Sequence, residues 1–470
     1  RTPAGPTSPV TGKGPSKMPR ERYVWFVLAL TAPVLTAALL AWSLSFHNTA
    51  GLFRVSGPAR AVLVLVVLLG ILPPVIMALL KIRPAVRMLR LAALSLAILG
   101  TMLPVVGSSY IGTHNLTDAG DKPVQLLLLN GTGKNSVPDI AVVFWTGTPT
   151  MNKLKWNAGT SSGSLTEDLP SRCHRFILRD LPPDTVISYQ INGGEIRHFR
   201  TPSLTVPLRF AVASDAHFGA GNNRPDLTTG ILKRIAGPEN GYSIFLFAGD
   251  LVEHGHNDTH WREAISALTT VTSSVPALFA AGNHDTVLGG LKRFQNYLGT
   301  GGREDALWRK VSVSGVHFFV LDREWNDDSI QRERKAWLEK GLSSIPSQEW
   351  VVVMSHAYCY ASGSTHGCYP RYDDRTAINE LVPLFEKYDV DLVLSGHAHQ
   401  FELLQKNGVT YVICGTVGGA PGPPRTYTSP ASVWYASGRY GFVEVSVQDR
   451  ALIVFRDASG SVLKTFSVER

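Results

Sequence analysis

Acidic side chains are almost missing from the first 110 residues of this 470-residue chain, where Glu21 stands alone against eleven lysines and arginines. The remaining 360 residues carry 34 basic and 36 acidic side chains, so the formal charge of +8 belongs to the N-terminal segment. A near-neutral remainder argues against a basic groove, and no nucleic-acid partner is expected. Cysteine is scarce as well, with four in the chain. None is placed to build a thiolate metal site. Cys359 and Cys368 lie nine apart in a loop containing Gly and Ser, a spacing that suits a local disulfide in an oxidising compartment. Cys173 and Cys414 sit in apolar, strand-like surroundings and read as buried thiols.

Charge is also absent from long apolar stretches. Tyr23–Phe46 and Ala61–Leu80 contain no charged residue, and each matches the ~20 residues a helix needs to cross a bilayer. Leu91–Val106 is shorter and includes Gly100 and Pro104. The first stretch exceeds the ~7–15 apolar residues of a cleaved signal, and two more come after it. Lys13, Lys17, Arg20 and Arg22 precede the first stretch, and Lys81, Arg83, Arg87 and Arg90 crowd the second connection. The first connection has only Arg54 and Arg60. Positive-inside logic then predicts a multi-pass membrane anchor over 23–108 with about three helices. It is preceded by a disordered cytoplasmic tail over 1–22, rich in Pro, Gly, Ser and Lys. Everything after about residue 108 is expected on the extracytoplasmic side. The two clean spans hold no ionisable group to line a polar path, so their expected job is anchoring in the lipid bilayer.

Residues 109–203 change character. Val124–Leu129, Ile140–Trp145, Arg175–Leu178, Val186–Ile191 and His198–Arg200 are short β-branched or aromatic runs between turn signals such as Asn130-Gly131 and Gly193-Gly194. The pattern predicts an all-β, fibronectin-like sandwich with no cluster of chemically active residues. From 204 to 470 the pattern becomes α/β. Apolar strands over Leu208–Ala213, Ile244–Ala248, Ala277–Ala280, His317–Leu321, Trp350–Met354 and Leu392–Leu394 alternate with helical stretches such as Leu227–Ile235 and Trp261–Thr270.

The residues just beyond those strands carry the chemistry. Five of the strands end in Ser214-Asp215-Ala216-His217, Gly249-Asp250, Gly282-Asn283-His284-Asp285, Ser355-His356 and Gly396-His397-Ala398-His399. Each block alone has an ordinary explanation as a cap, a turn or a structural histidine. Five strands each delivering Asp, Asn or His at the carboxyl edge, where α/β sheets bind ligands, point to one metal site. Oxygen and imidazole donors suit Mn, Fe or Zn. A shared carboxylate can hold two ions ~3.5–4 Å apart, which polarise a phosphoryl oxygen, make hydroxide from water and clamp an in-line displacement.

These blocks, in this order, resemble the motif set of calcineurin-like metallophosphoesterases. The resemblance implies a four-layer α/β/β/α domain over 204–470. It also implies that Asp215, His217 and His399 bind a first metal, that Asn283, His356 and His397 bind a second, and that Asp250 bridges them. His284 would be the general acid or a transition-state stabiliser, oriented by Asp285. The preceding sandwich is similar to that of purple acid phosphatases, as is its exit through Phe199-Arg200-Thr201-Pro202. Two positions depart from that group: Glu253 stands where it has a metal-binding tyrosine, and His217 is an addition. Without tyrosinate a colourless pair of divalent ions is expected. His366, Arg371 and Tyr358 lie on a stretch resembling the family's substrate-contacting loop and are the candidate substrate contacts. His254, His256 and His260 read as surface histidines, with pocket lining or an accessory metal site as the alternative.

The expected activity is hydrolysis of phosphate monoesters outside the cytoplasm by metal-bound hydroxide. The alternative is phosphodiesterase or nucleotidase chemistry on the same site. A binding protein that has lost catalysis is the reading of a different class, and the complete ligand set stands against it.

Overall fold

The computed structural model describes residues 124–130, 137–205, 207–286, 290–298, 307–323, 330–366 and 369–470, with backbone alone for 365, 366 and 369–371. All of these fall in the second of two compact units, Ser108–Arg470. The expected tail, the three apolar stretches and Cys368 lie outside the described residues. Among the described residues no helix is long and apolar enough to cross a membrane.

The first strands are β1 (Gln125–Leu129) and β2 (Asp139–Thr150), which open on continuous buried runs, then β3 (Lys153–Ala158), β4 (Ser161–Thr166), β5 (Ser171–Leu178), β6 (Val186–Ile191) and β7 (Ile196–Arg200). β3 and β4 were not expected, because Lys, Ser and Gly fill half of their positions and only Leu154 and Ala158 are buried. The next region runs β8 (Leu208–Ala213), α1 (Pro225–Ile235), β9 (Ile244–Phe247), α2 (Asp258–Thr272), β10 (Ala277–Phe279), α3 (Asn283–Thr286) and α4 (Gly290–Tyr297). Then come β11 (Arg309–Val313), β12 (Val316–Leu321), α5 (Arg332–Leu342), β13 (Trp350–Ser355), a hairpin of β14 (Ser364–His366) and β15 (Tyr369–Arg371), α6 (Arg375–Glu380) and α7 (Val382–Lys387). The chain closes with β16 (Leu392–Ser395), β17 (Phe401–Lys406), β18 (Val409–Cys414), β19 (Ser432–Ala436), β20 (Gly441–Val447), β21 (Ala451–Asp457) and β22 (Val462–Val468).

Two large sheets organise these strands. One has the order β22-β21-β20-β8-β9-β10-β1-β2-β5 and the other β11-β12-β13-β16-β18-β17-β19. Their facing surfaces share one apolar layer, in which Phe210 meets Phe318 edge-on at 5.3 Å. Helices cover the outer faces: Ile231, Trp261 and Leu268 on one side, and Leu338 and Phe385 on the other, belong to the surrounding core. This is the α/β/β/α layering expected from the resemblance.

The sheet runs across the boundary expected at residues 203 and 204. β1 lies parallel to β10, with Leu127 opposite Ala277, so β1, β2 and β5 extend the sheet that carries the metal-site strands. The remaining sandwich strands form a separate sheet, β4-β3-β6-β7. It covers Leu126, Leu128, Ile140 and Val142 on the inner face of that extension. Of the cysteines, Cys359 and Cys414 are buried free thiols, whereas Cys173 is exposed on β5 and not buried as its apolar setting suggested.

Candidate metal centre

The carboxyl ends of β8, β9, β10, β13 and β16 converge, three from one sheet and two from the other. Backbone bonds join them: Asp215 N–H donates to the Gly249 carbonyl (3.0 Å), His217 N–H to that of Asp250 (3.1 Å), and Gly396 N–H to that of His356 (3.0 Å). The chain turns abruptly at each strand end. Asp215, His217, Asp250, His397 and His399 all have positive φ, between 49° and 66°, a region that non-glycine residues seldom occupy. Glycines beside them allow close approach. A Cβ on Gly282 would lie 2.1 Å from Asp250 Oδ1, and one on Gly249 would lie 2.6 Å from His356 Nδ1.

Three groups of donor atoms gather here: Asp215, His217 and His399; His217, Asp250 and His284; and Asp250, His356 and His397. The first and third contain the residues that the resemblance assigns to the two ions, with Asp250 between them. Asn283 joins the third group, its Oδ1 3.1 Å from His356 Nε2. Asp215, His217, Asp250 and His356 are buried, while Asn283, His284, His397 and His399 are half-buried and face the opening.

Most of the imidazoles are held from behind. His356 Nδ1 donates to the Ala248 carbonyl (2.8 Å), His399 Nδ1 to the Ala420 carbonyl (2.6 Å), and His217 Nδ1 to the Glu253 carboxylate (2.8 Å). Those acceptors fix the protons on Nδ1 and leave Nε2 as a lone pair, the usual outer-shell arrangement for a metal-ligating histidine. His217 Nε2 and His399 Nε2 then face each other at 3.0 Å, and His356 Nε2 lies 3.1 Å from both His397 Nδ1 and Asp250 Oδ2. Ring nitrogens and carboxylate oxygens gathered this closely suit a shared positive charge, a proton on His356 in the metal-free chain or a bound metal ion. The donor set fits a pair of divalent ions.

Charge distribution agrees. Burial opposes ionisation of Asp250, but the histidines around it, His356 foremost, hold its carboxyl well below the usual range. Burial would depress His356, yet Asp250 lifts it to about 9. Burial would also depress His399, and Asp215 raises it. For His217 burial prevails and its value falls.

His284 sits at the mouth. Its backbone N–H donates to Asp250 Oδ1 (2.9 Å), and its Nδ1 donates to the Glu253 carbonyl (2.8 Å) with the Glu253 carboxylate 3.5 Å away. Glu253, not Asp285, orients this ring. The Asp285 carboxylate instead accepts from the backbone N–H groups of Leu251 (2.9 Å), Val252 (3.0 Å) and Gly282 (3.0 Å), tying the Asp250 turn to the Asn283 turn. Burial and then the charge of Asp250 push its carboxyl up to about 7.

The substrate-contact candidates fare differently. Tyr358 is buried, its ring 5.8 Å from that of His397, so it backs the centre and does not face substrate. The backbones of His366 and Arg371 lie on the β14–β15 hairpin, and their side chains lie outside the described part of the molecule. Sequence reasoning missed the carbonyls of Ala248 and Ala420, which no residue type announces. It noticed Glu253 only as a missing tyrosine. The signal that could have found it is a carboxylate three residues beyond Asp250 in a segment rich in histidine.

Residues 208–401 match the family model described as calcineurin-like phosphoesterase. This region is similar to calcineurin-like phosphoesterase domains. The chain also resembles purple acid phosphatases. It is 24% identical over 283 residues to purple acid phosphatase 18 of Arabidopsis thaliana, covering 56% of this chain and 62% of that protein. It is 21% identical over 272 residues to a nucleotide pyrophosphatase/phosphodiesterase of Hordeum vulgare, covering 49% of this chain and 72% of that one. The fold is similar to that of purple acid phosphatase PPD1 from yellow lupin (Lupinus luteus), with a TM-score of 0.61 at 18% identity over 73% of this chain and 74% of that one. The metal-dependent phosphoesterase reading of the sequence agrees with these matches.

Proposed function

We propose that this protein hydrolyses phosphate esters with two divalent ions held by Asp215, His217, Asp250, Asn283, His356, His397 and His399. The observation that carries the reading is the pair of donor groups on either side of Asp250, with imidazole nitrogens facing one another at 3.0 and 3.1 Å. When bound, the ions supply the positive charge that draws in a phosphoryl group and acidifies water. The chain supplies the rest. Asp250 and Asp215 set the charge of the pocket, the carbonyls behind the histidines fix ring orientation, and His284 presents Nε2 to the leaving oxygen. Because its Nδ1 proton is engaged by the Glu253 carbonyl, His284 can hand a proton over only from Nε2.

Phosphate monoesters are the favoured substrates, on the strength of the purple-acid-phosphatase-like arrangement of sandwich and catalytic region. The Hordeum relative's name keeps phosphodiesterase chemistry as the second reading. Initial rates with 4-nitrophenyl phosphate and bis(4-nitrophenyl) phosphate, together with metal analysis, test both. A preference for the diester reverses the order, and stoichiometric metal without turnover of either ester returns the protein to a binding role. Anchoring through the apolar stretches of residues 23–108, with the catalytic region outside the cytoplasm, rests on their length and flanking charges. Protease accessibility of residues 108–470 in sealed, right-side-out membranes tests it: protection of that region contradicts the proposed orientation.

A further inference from the structure

One buried carboxylate outside the metal centre joins the segment after His356 to the strand after His399. Glu402, the second residue of β17, is fully buried. Its Oε2 accepts from Ser362 N–H (2.9 Å) and Gln400 Nε2 (2.8 Å), and its Oε1 from the hydroxyls of Ser362 (2.5 Å) and Ser432 (2.6 Å). Gln400 Nε2 also donates to the Ser362 carbonyl (2.8 Å), and Ser429 N–H donates to Ser362 Oγ (3.0 Å). Burial pushes the Glu402 carboxyl up, and the bonds from Ser362, Ser432 and Gln400 oppose that. Burying a charge costs stability, and what a fully satisfied network gives in exchange is a fixed geometry.

What this network fixes is the seam between the two halves of the centre. Ser362 lies six residues beyond His356, past Tyr358, whose ring packs against that of His397. Gln400 directly follows His399. β13 and β17 are not neighbours in their sheet, because β16 and β18 stand between them. Strand pairing therefore cannot set one segment against the other, and the side chains around Glu402 do so. Ser429 and Ser432 lie at the end of the loop that leaves β18. The same loop supplies the Ala420 carbonyl behind His399, and Gly419, where an added Cβ would lie 2.6 Å from His217 Cδ2. One carboxylate thus gathers the surroundings of His356 and His397 with those of His217 and His399.

We propose that Glu402 is a positioning residue of the metal centre, holding His356 and His397 in place against His217 and His399 through Ser362 and Gln400. The inference rests on the dinuclear reading of the site. Placement rather than charge produces the effect, and the donors show why. At Oε2 both partners are N–H groups, which require an oxygen. At Oε1 both are hydroxyls, which can turn and accept. Glu402→Gln can therefore set its carbonyl where Oε2 lies and its amide nitrogen where Oε1 lies. Glu402→Asp keeps the charge but is one methylene too short to reach all four donors.

The test loads the full chain with manganese(II) as wild type, Glu402→Gln, Glu402→Asp and Glu402→Ala. It reads binding by calorimetry, the ion pair by low-temperature electron paramagnetic resonance, and stability by denaturant unfolding. Wild type should show the exchange-coupled spectrum of two neighbouring ions, and Glu402→Gln should keep both that spectrum and the affinity. Glu402→Asp and Glu402→Ala should bind the weaker ion about 10–100-fold less tightly, as loss of an outer-shell partner does, and show isolated manganese. A purely stabilising role would lower the unfolding midpoint of these two while leaving spectrum and affinity unchanged, and that result overturns the proposal. Retention of the coupled pair by Glu402→Asp with its loss from Glu402→Gln overturns it too, since charge would then outweigh placement. Where Glu402→Ala does not fold, Glu402→Asp makes the comparison. Failure of both to fold assigns Glu402 to folding alone and overturns the positioning role. Wild type that binds manganese without coupling removes the dinuclear reading, whereas a coupled wild type with unchanged variants removes only the role of Glu402.

Discussion

Positive φ at Asp215, His217, Asp250, His397 and His399 means that this backbone is bent at a cost of order 1–3 kcal/mol per residue, held by the strands behind it. What the bend secures is ligand placement, and single substitutions should separate placement from proton transfer. Asp250→Asn is expected to lower metal content and activity together, because the carboxylate gathers with His356 and His397 on one side and with His217 and His284 on the other. His284→Ala should keep metal content near normal and reduce turnover by about 10²–10⁴-fold. Equal metal loss in the two variants would show that the roles are misassigned. Glu253→Gln keeps a carbonyl oxygen for His217 but removes the charge, and should weaken metal binding by about 10–100-fold, read by equilibrium dialysis. His356 gives the pH dependence. Although burial opposes it, Asp250 holds this imidazole protonated up to about pH 9 in the metal-free chain. An ion entering there displaces the proton, so metal affinity should rise about tenfold per pH unit from pH 6 to 8, with proton release in calorimetry. Affinity independent of pH across that range would contradict the assignment. The ligands were legible in the sequence because metal chemistry restricts them to Asp, Asn and His at strand ends. The roles of Asp285 and Glu253 were not, because backbone N–H and carbonyl positions, which no residue name encodes, decide what a carboxylate or an imidazole bonds to.

Among the elements, α6 shows how a short helix can steady the site. Its N-cap Asp374 accepts from Ala377 N–H (3.1 Å) and from Arg323 Nη1 (2.7 Å), and its own N–H donates to the Cys359 carbonyl (2.8 Å). Arg323 also donates to the Tyr358 carbonyl, and both members of the ion pair are buried. The pair thus clamps the end of β12, the start of α6 and the segment that sets Tyr358 against His397. Removing one partner of a buried pair strands the other charge, so Arg323→Ala should cost about 3–5 kcal/mol in denaturant unfolding. Displacement of Tyr358 should also reduce occupancy of the second ion. A loss under about 1 kcal/mol with full metal content would show that water replaces the guanidinium. Apolar runs located the neighbouring strands closely, since β12, β13 and β16 are apolar over most of their length. The chain that follows forms two short helices, α6 and α7, divided at Leu381 with Pro383 in the first turn of the second.

On the scale of the whole molecule, the sandwich reads from sequence as a spacer, yet its strands continue the metal-bearing sheet. Alternation marks a strand but does not name its neighbour, which is why the β1–β10 pairing was invisible beforehand. The joint is specific. Gln125 Nε2 donates to Thr269 Oγ1 (3.1 Å), Thr272 Oγ1 donates to Gln125 Oε1 (2.6 Å), and the Tyr189 hydroxyl donates to the Ser273 carbonyl (2.8 Å). Trp145 of β2 packs edge-on against Tyr297 of α4 at 4.4 Å, and Tyr297 in turn packs against Trp261 of α2. Cutting at residue 204 would therefore expose the β10 edge, unpair polar groups on α2 and open the apolar layer beneath β1 and β2. Because α2 begins directly after the turn that is bonded to His284, the damage should reach the catalytic side. Residues 108–470 are expected to give a monodisperse, metal-binding protein, and residues 204–470 an aggregated or metal-poor one, compared by size-exclusion chromatography, circular dichroism and metal analysis. A shorter piece that is soluble, cooperatively folded and fully loaded would show that the sandwich is a separable domain after all.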